Sequence, residues 1–162
     1  IDRKVHLAFF DREGELQRTL KEFIVTHQPR VGLVSPDAPL ISNLSVWSNI
    51  ALIRQYHQNM PVHQAKALTE RLLRRFAMES IAERRNPSLT MEERFCAMLL
   101  RAVMVEDAIL VLDRPFIILA DRRSGRFLTD ALRKVDDLIA EIHVFDYSWE
   151  KDRYEVPDGA EA

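Results

Sequence analysis

The acidic residue Asp113 ends a short apolar run in the segment AILVLDRPF, residues 108–116. A carboxylate that follows a buried strand is well placed to hold Mg²⁺, because magnesium binds through oxygen ligands. The next residue is Arg114, and a guanidinium cannot accept a proton. The segment therefore offers one candidate metal ligand, Asp113, without a second acid beside it.

Other residue types that carry chemistry are few. The chain has one cysteine, Cys96, which excludes an internal disulfide, and its place in an apolar helix favours an inert thiol. Only four glycines occur and none precedes a lysine, so the chain contains no G-x-x-x-x-G-K-[ST] phosphate loop. The histidines show no metal-ligand spacing and are interpreted as scattered surface or core residues: His6, His27, His57, His63 and His143.

The composition is that of an ordinary globular protein, with 47% hydrophobic and 30% charged residues and a net charge of −2 over 162 residues. This balance favours no nucleic-acid partner, and the arginine clusters lack interleaved aromatic residues. The apolar stretches fall far short of the roughly 20 residues that span a bilayer, so we expect no direct membrane insertion. Because the chain begins with Ile1 rather than methionine, we expect further sequence upstream.

Hydrophobic periodicity predicts strands that alternate with helices. Apolar, β-rich runs predict strands at 4–10, 31–34, 108–112, 141–145 and 153–156. Helical spacing predicts helices at 16–26, 45–57, 61–76, 81–85, 91–103 and 121–137. Ser45 is the expected N-cap of the second helix, and Thr90 with Glu93 forms a predicted capping box. The pattern predicts one α/β domain of residues 1–162, with a sheet core from about 1–44 and 105–162 and an inserted helical subdomain at about 45–104.

Four segments of the sequence resemble motifs of one protein family and occur in the same order as in that family. The segment VGLVSPDAPLISNLSVWSNIAL resembles a Q-loop strand and the helix after it, and PSLTMEERFCAMLLRAV resembles a signature-motif helix. AILVLDRPF resembles a Walker B strand, and IHVFDY resembles the strand before a switch histidine. With this order and spacing, residues from about 31 to 159 resemble the nucleotide-binding domain of ABC transporters, most closely the phospholipid and solvent-tolerance systems. The resemblance implies a P-loop-NTPase-like sheet core flanked by helices.

The sequence differs from that family at the positions that bind and hydrolyse ATP. The phosphate loop is missing, and the signature L-S-G-G-[QE] becomes Leu89-Thr90-Met91-Glu92-Glu93. Single residues replace the Q-loop glutamine, the catalytic glutamate, the switch histidine and the D-loop aspartate, and they are in that order Pro36, Arg114, Asp146 and Ala120. The resemblance therefore implies a degenerate, catalytically inactive member. We expect no cofactor, with ATP and Mg²⁺ bound only if a Walker A motif lies upstream of Ile1.

Asp113 has two interpretations under this resemblance. It is either a residual Walker B ligand for Mg²⁺ and nucleotide, or a strand-end carboxylate paired with a nearby amide or with Arg114. The second is favoured, because one carboxylate without phosphates rarely holds Mg²⁺.

A loop with two prolines carries a cluster of apolar residues, which are Leu40, Ile41, Leu44 and Trp47. In ABC proteins this region receives a coupling helix of the permease. We therefore expect a docking surface here, with Leu40 and Ile41 partly exposed. The alternative is that these side chains pack the helical subdomain onto the sheet.

The leading hypothesis is an inactive assembly or regulatory subunit of a membrane transport complex. Its partners would be a permease subunit or a competent ABC ATPase subunit, and a homodimer is a further option. Its place would be cytoplasmic, including the inner face of the cell membrane. Two alternatives stay open: an ATP-binding subunit whose Walker A lies upstream or in a composite site with a partner, and a stand-alone interaction domain.

Overall fold

A computed structural model describes residues 5–121 and 124–154 of the chain. Within these residues, one parallel sheet has the strand order β1-β4-β3-β2. The strands are β1 (Val5–Phe10), β2 (Val31–Val34), β3 (Ala108–Asp113) and β4 (Ile139–Tyr147). The predicted α/β class with a parallel sheet flanked by helices is confirmed.

The helices cover both faces of the sheet. They are α1 (Glu13–His27), α2 (Val46–Gln58), α3 (Val62–Arg74), α4 (Met91–Ala102), α5 (Pro115–Ile118) and α6 (Ser124–Lys134). Alternate residues of β3 point to opposite faces: Leu110 and Leu112 join the core formed with α2, α3 and α4, whereas Val111 packs with Leu16 and Leu20 of α1. Every residue of β3 is buried, as expected for a central parallel strand.

The helices between β2 and β3 share one hydrophobic core with the sheet, and α4 connects the two. The end of α4 crosses β2 so closely that a Cβ on Gly32 would lie 2.2 Å from the carbonyl oxygen of Ala102. The glycine at this position of β2 is therefore needed for packing rather than for a turn. Phe95, Leu99 and Ile50 are fully buried in the core that results.

Two predicted helix starts are confirmed in detail. Ser45 caps α2, where its Oγ accepts a hydrogen bond from the backbone N–H of Ser48 at 3.3 Å. Thr90 and Glu93 form a reciprocal capping box, in which Glu93 Oε1 accepts from the Thr90 N–H at 2.9 Å and Thr90 Oγ1 accepts from the Glu93 N–H at 3.1 Å. Local side-chain chemistry fixes these two boundaries.

Several predicted elements differ from the structure. The predicted final strand at 153–156 is wrong at its start, because a 3₁₀ helix occupies Ser148–Tyr154; residues 155 and 156 lie outside the described residues. The predicted helix 121–137 is shorter, since α6 ends at Lys134 and a 3₁₀ turn follows at Asp136–Leu138; its residues 122 and 123 also lie outside the described part. The predicted helix 81–85 is instead a 3₁₀ turn at Glu79–Ile81.

In the described part of the chain, no helix combines the length and the apolar character that crossing a bilayer requires.

Candidate functional site

The carboxyl ends of three neighbouring strands bring polar residues to one edge of the sheet. Ser35 follows β2, Asp113 ends β3 and Asp146 lies near the end of β4, and all three are buried. In open parallel α/β sheets this edge is where ligands bind. It is therefore the candidate site.

Asp113 is fully buried, and hydrogen bonds engage both of its oxygens. Arg114 Nε donates to Oδ1 at 2.8 Å, and Arg114 Nη2 donates to Oδ2 at 3.2 Å. The Ser35 hydroxyl also donates to Oδ2, at 2.6 Å. The pairing of Asp113 with Arg114 is thus present, together with a hydroxyl donor that the sequence did not single out.

Arg114 reaches its own neighbour because its backbone is left-handed, with φ 43°. Its N–H donates to the Phe145 carbonyl at 2.8 Å, which ties this turn to β4. The guanidinium also donates to the exposed carboxylate of Asp37 at 2.6 Å. Its hydrogen bond with Asp113 is the main reason that the pKa of Arg114 is raised, so it stays charged at any ordinary pH.

This arrangement places a fixed positive charge where a metal ion would have to bind. A cation that used Asp113 would have to displace the guanidinium and the Ser35 hydroxyl, and the displaced arginine would remain beside it. Two positive charges that close repel strongly in a buried site. The geometry therefore favours an ion pair that holds loop and strand together over a Mg²⁺ site.

Asp146, at the place of the switch histidine in the resemblance, is buried and held by its neighbours. Oδ1 accepts the Tyr147 N–H at 2.8 Å, and Oδ2 accepts the hydroxyl of Tyr154. Burial raises the pKa of Asp146, only partly offset by these two hydrogen bonds. Burial and the bond to Asp146 likewise raise the pKa of Tyr154. One oxygen of Asp146 thus binds the end of β4, and the other holds the 3₁₀ helix Ser148–Tyr154 against it.

A strand–loop–helix unit stands beside this edge in β1 and α1. The connection consists of Asp11 and Arg12 alone, and the first turn of α1 carries Glu13 and Glu15. A phosphate loop has the same strand–loop–helix arrangement, but it needs bare backbone amides and a lysine. The acids favour the helix and repel an anion at its N-terminus. The sequence signal for this unit is the apolar strand predicted at 4–10, followed by the turn-like segment DREGE at 11–15.

The N-terminus of α4, which the resemblance aligns with the signature motif, is occupied by its own side chains. Glu93 is used in the capping box, and the Met91 sulfur accepts the backbone N–H of Ala120 at 3.2 Å. Leu89 is buried just before the cap. These contacts stabilise the helix and leave a bulky and an acidic side chain at the positions that the resemblance aligns with the signature glycines.

Cys96 lies within α4 and is fully buried, and burial raises its pKa to about 12. An unreactive thiol is therefore the correct interpretation.

The expected docking residues divide by exposure. Leu40 is 3% exposed and belongs to the main core, so its predicted exposure is wrong. Leu40 is buried because it packs into the core that α2 and α4 form, although its loop contains two prolines. Ile41 is 42% exposed, and Leu44 and Trp47 are half-buried. The apolar surface at this loop is thus formed by Ile41 with the rims of Leu44 and Trp47, a set called the Ile41 patch below.

Two polar residues that the sequence analysis missed hold this loop in place. The side chain of Asn49, buried in α2, accepts the Ile41 N–H at 2.8 Å and donates to the Ile41 carbonyl at 3.1 Å. Arg101 of α4 donates to the carbonyls of Pro39, at 2.9 Å, and Ala38. Such side chain to backbone bonds fix a loop without regular structure. A buried asparagine inside an amphipathic helix was the available signal.

No protein-family model matches this sequence, and no curated protein matches it.

Proposed function

We propose that the chain is a degenerate ABC-type nucleotide-binding domain that does not hydrolyse ATP and acts as an assembly or regulatory subunit of a membrane transport complex. The observation that carries the proposal is the closed ion pair of Arg114 with Asp113 at the carboxyl edge of the sheet. It stands where the resemblance puts the Mg²⁺ ligand and the catalytic base.

The chemistry that hydrolysis needs is missing at several points of the same edge. A general base contributes about 10²–10⁴ to a rate, and arginine cannot be one. The β1–α1 connection, Asp11-Arg12, offers neither a glycine loop nor a lysine to phosphate. The two losses compound, because a weakly bound nucleotide would also meet no base.

A binding role is favoured by the way the Ile41 patch is presented. Asn49 holds the backbone of Ile41 at both its N–H and its carbonyl, so the loop that carries the exposed side chain is fixed in one conformation. A loop whose backbone is already held loses little further backbone entropy when a partner covers it. In the proposed complex, this patch contacts the permease subunit, and the edge with Asp113 has only a structural part.

The first experiment is a titration with MgATP and a fluorescent ATP analogue, followed by calorimetry. We expect no saturable binding at micromolar nucleotide and no phosphate release above a buffer control. Micromolar binding that is lost in Asp113→Ala would overturn the proposal and favour the ATP-binding alternative. Adding any upstream sequence of the same reading frame tests whether a Walker A motif there restores binding.

The second experiment is co-purification with a permease subunit encoded beside this chain, with and without the accompanying ATPase. A stable complex that forms without nucleotide supports the subunit role. If the chain binds neither subunit, or if no permease is encoded beside it, the stand-alone interaction domain replaces the proposal.

A further inference from the structure

Two histidines that are far apart in the sequence lie side by side on the sheet. His6 of β1 is the register partner of His143 of β4, and their rings stack with centroids 4.5 Å apart at 16°. Glu141 lies two residues before His143 and so projects from the same face of β4. The interpretation of these histidines as scattered residues is therefore wrong for this pair, because only strand pairing brings them together.

The three side chains converge on one point. The ligand atoms of His6, Glu141 and His143 all lie within 4.8 Å of one another. His143 Nε2 and Glu141 Oε2 are already 2.9 Å apart. Two imidazole nitrogens and a carboxylate oxygen form a donor set that suits Zn²⁺ and similar divalent transition-metal ions, whereas Mg²⁺ and Ca²⁺ prefer oxygen ligands alone.

One side of this cluster packs against α1, and the other side is exposed to solvent. The ring of Phe23, on α1, lies 4.5 Å from the ring of His143 and limits its rotation. His6 is exposed, whereas Glu141 and His143 are half-buried. Ligand atoms about 2.1 Å from one zinc ion lie less than about 4.2 Å apart. Any two ligand atoms that lie farther apart than this, within the 4.8 Å limit, must therefore approach each other on binding, and rotation of the exposed His6 side chain allows it.

We propose that His6, Glu141 and His143 form a binding site for a divalent transition-metal ion of the zinc class. The protein supplies three ligands, and a water molecule takes the fourth position on the exposed side. The ion cross-links β1, which is the edge strand of the sheet in the described residues, to β4 beside it. Because the site exists only in the folded chain, metal binding stabilises the fold.

The test uses the full chain without an affinity tag, stripped with a chelator and titrated with zinc by calorimetry. The variants are His6→Ala and Glu141→Gln, and the matched controls are His57→Ala on α2 and His63→Ala on α3. We expect one zinc ion per chain, with a Kd that rises about tenfold or more in each site variant and stays unchanged in the controls. Zinc should raise the melting temperature of the wild type and the controls and leave that of His6→Ala nearly unchanged.

Cobalt(II) provides a readout that does not depend on stability. The wild type with cobalt should give the visible absorption of a four-coordinate ion with nitrogen and oxygen ligands, and His6→Ala should lose it. The proposal fails if the wild type binds no zinc, or if His6→Ala binds zinc as the wild type does. It also fails if a control variant weakens binding as much as the site variants do. The melting curve of each variant with chelator shows that it is folded.

Discussion

The guanidinium of Arg114 turns back onto the carboxylate of the residue directly before it, with Nε 2.8 Å from Asp113 Oδ1. Neighbours in a strand point to opposite faces, so this contact requires the strand to have ended, and the left-handed φ of 43° at Arg114 ends it. The same guanidinium also contacts Asp37 in the loop after β2. One side chain therefore compensates a fully buried acid and joins two loops at the carboxyl edge.

Removing this guanidinium should destabilise the protein strongly. Arg114→Ala leaves the buried carboxyl of Asp113 with only the Ser35 hydroxyl as a side-chain donor. The loss of one partner of a buried ion pair lowers the free energy of unfolding by about 3 kcal/mol or more. Urea denaturation measures this change.

The control for that measurement is Arg133→Ala, which removes an exposed pair with Asp130 on α6. Such a surface pair contributes well under about 1 kcal/mol. Arg114→Lys should fall between the two, because lysine keeps the charge and loses the forked contact. If Arg114→Ala is as mild as the control, Asp113 is not held by this pair.

Placing a glutamate at position 114 should not produce an ATPase. In Arg114→Glu a third carboxylate would stand beside those of Asp113 and Asp37, which repel it, while the Asp11-Arg12 connection still provides no phosphate loop. We expect no phosphate release above that of a mock-purified sample, and a lower urea midpoint than the wild type. Steady hydrolysis by this single variant would mean that another phosphate site exists.

The elements that follow from local chemistry could be predicted from the sequence. The apolar, β-branched run of β3 predicts a buried central strand, and the capping residues Ser45 and Thr90 predict where α2 and α4 begin. The start of the final strand was wrong because Tyr154 packs its ring against Phe116 and its hydroxyl on Asp146. These contacts outweigh the strand tendency of one short segment.

The site was predictable in kind but not in detail. The pairing of Asp113 with Arg114 could be named as an option, whereas the left-handed turn that achieves it has no signal in a non-glycine residue. Leu40 was misjudged because burial of a loop residue depends on which helices close over it. His6 and His143 could not be paired without the strand order, since no local spacing joins β1 to β4.

Gly32 should tolerate no side chain, because the backbone of α4 occupies the space. In Gly32→Ala the new Cβ would lie 2.2 Å from the Ala102 carbonyl oxygen, and neither β2 nor α4 can move without disturbing the core. We expect the free energy of unfolding to fall by about 1–3 kcal/mol. Gly14→Ala is the matched control, since nothing lies within 4 Å of its Cβ, and helix propensity predicts a small gain there. Equal melting temperatures for the two variants would contradict this account of the β2–α4 contact.

Asp146 should make stability depend on pH in a defined direction. Its pKa in the folded protein is raised above the ordinary value of 3.8, chiefly by burial, so folding favours the protonated form. Its contribution is therefore most favourable in acid and is lost as the pH rises from about the ordinary value through the raised one. The hydrogen bond from Tyr154 lowers the pKa of Asp146, whereas the nearby carboxylates of Glu150 and Asp113 raise it.

Asp146→Asn removes that titration and keeps a partner for each neighbour. The amide oxygen can accept the Tyr147 N–H, and the amide nitrogen can donate to the Tyr154 hydroxyl oxygen. The stability of Asp146→Asn relative to the wild type should rise as the pH increases from about 4 through the raised pKa of Asp146 and then level off, as measured by urea midpoints. A constant difference across that range would mean that Asp146 does not titrate as its burial requires.

The Ile41 patch allows the docking role to be tested apart from folding. Leu40 is unsuitable, because an aspartate in its buried place would unfold the loop and remove binding for a trivial reason. Ile41→Asp places a charge on a side chain that is 42% exposed, while its backbone bonds to Asn49 remain. We expect the melting temperature to change little and co-purification with the permease subunit to be lost.

The control is Ile117→Asp on α5, which charges an isoleucine that is 56% exposed in another part of the surface and should leave the complex intact. If Ile41→Asp binds the permease as well as the wild type does, the docking surface lies elsewhere on the chain; if both variants lose it, the effect is one of charge rather than of this patch.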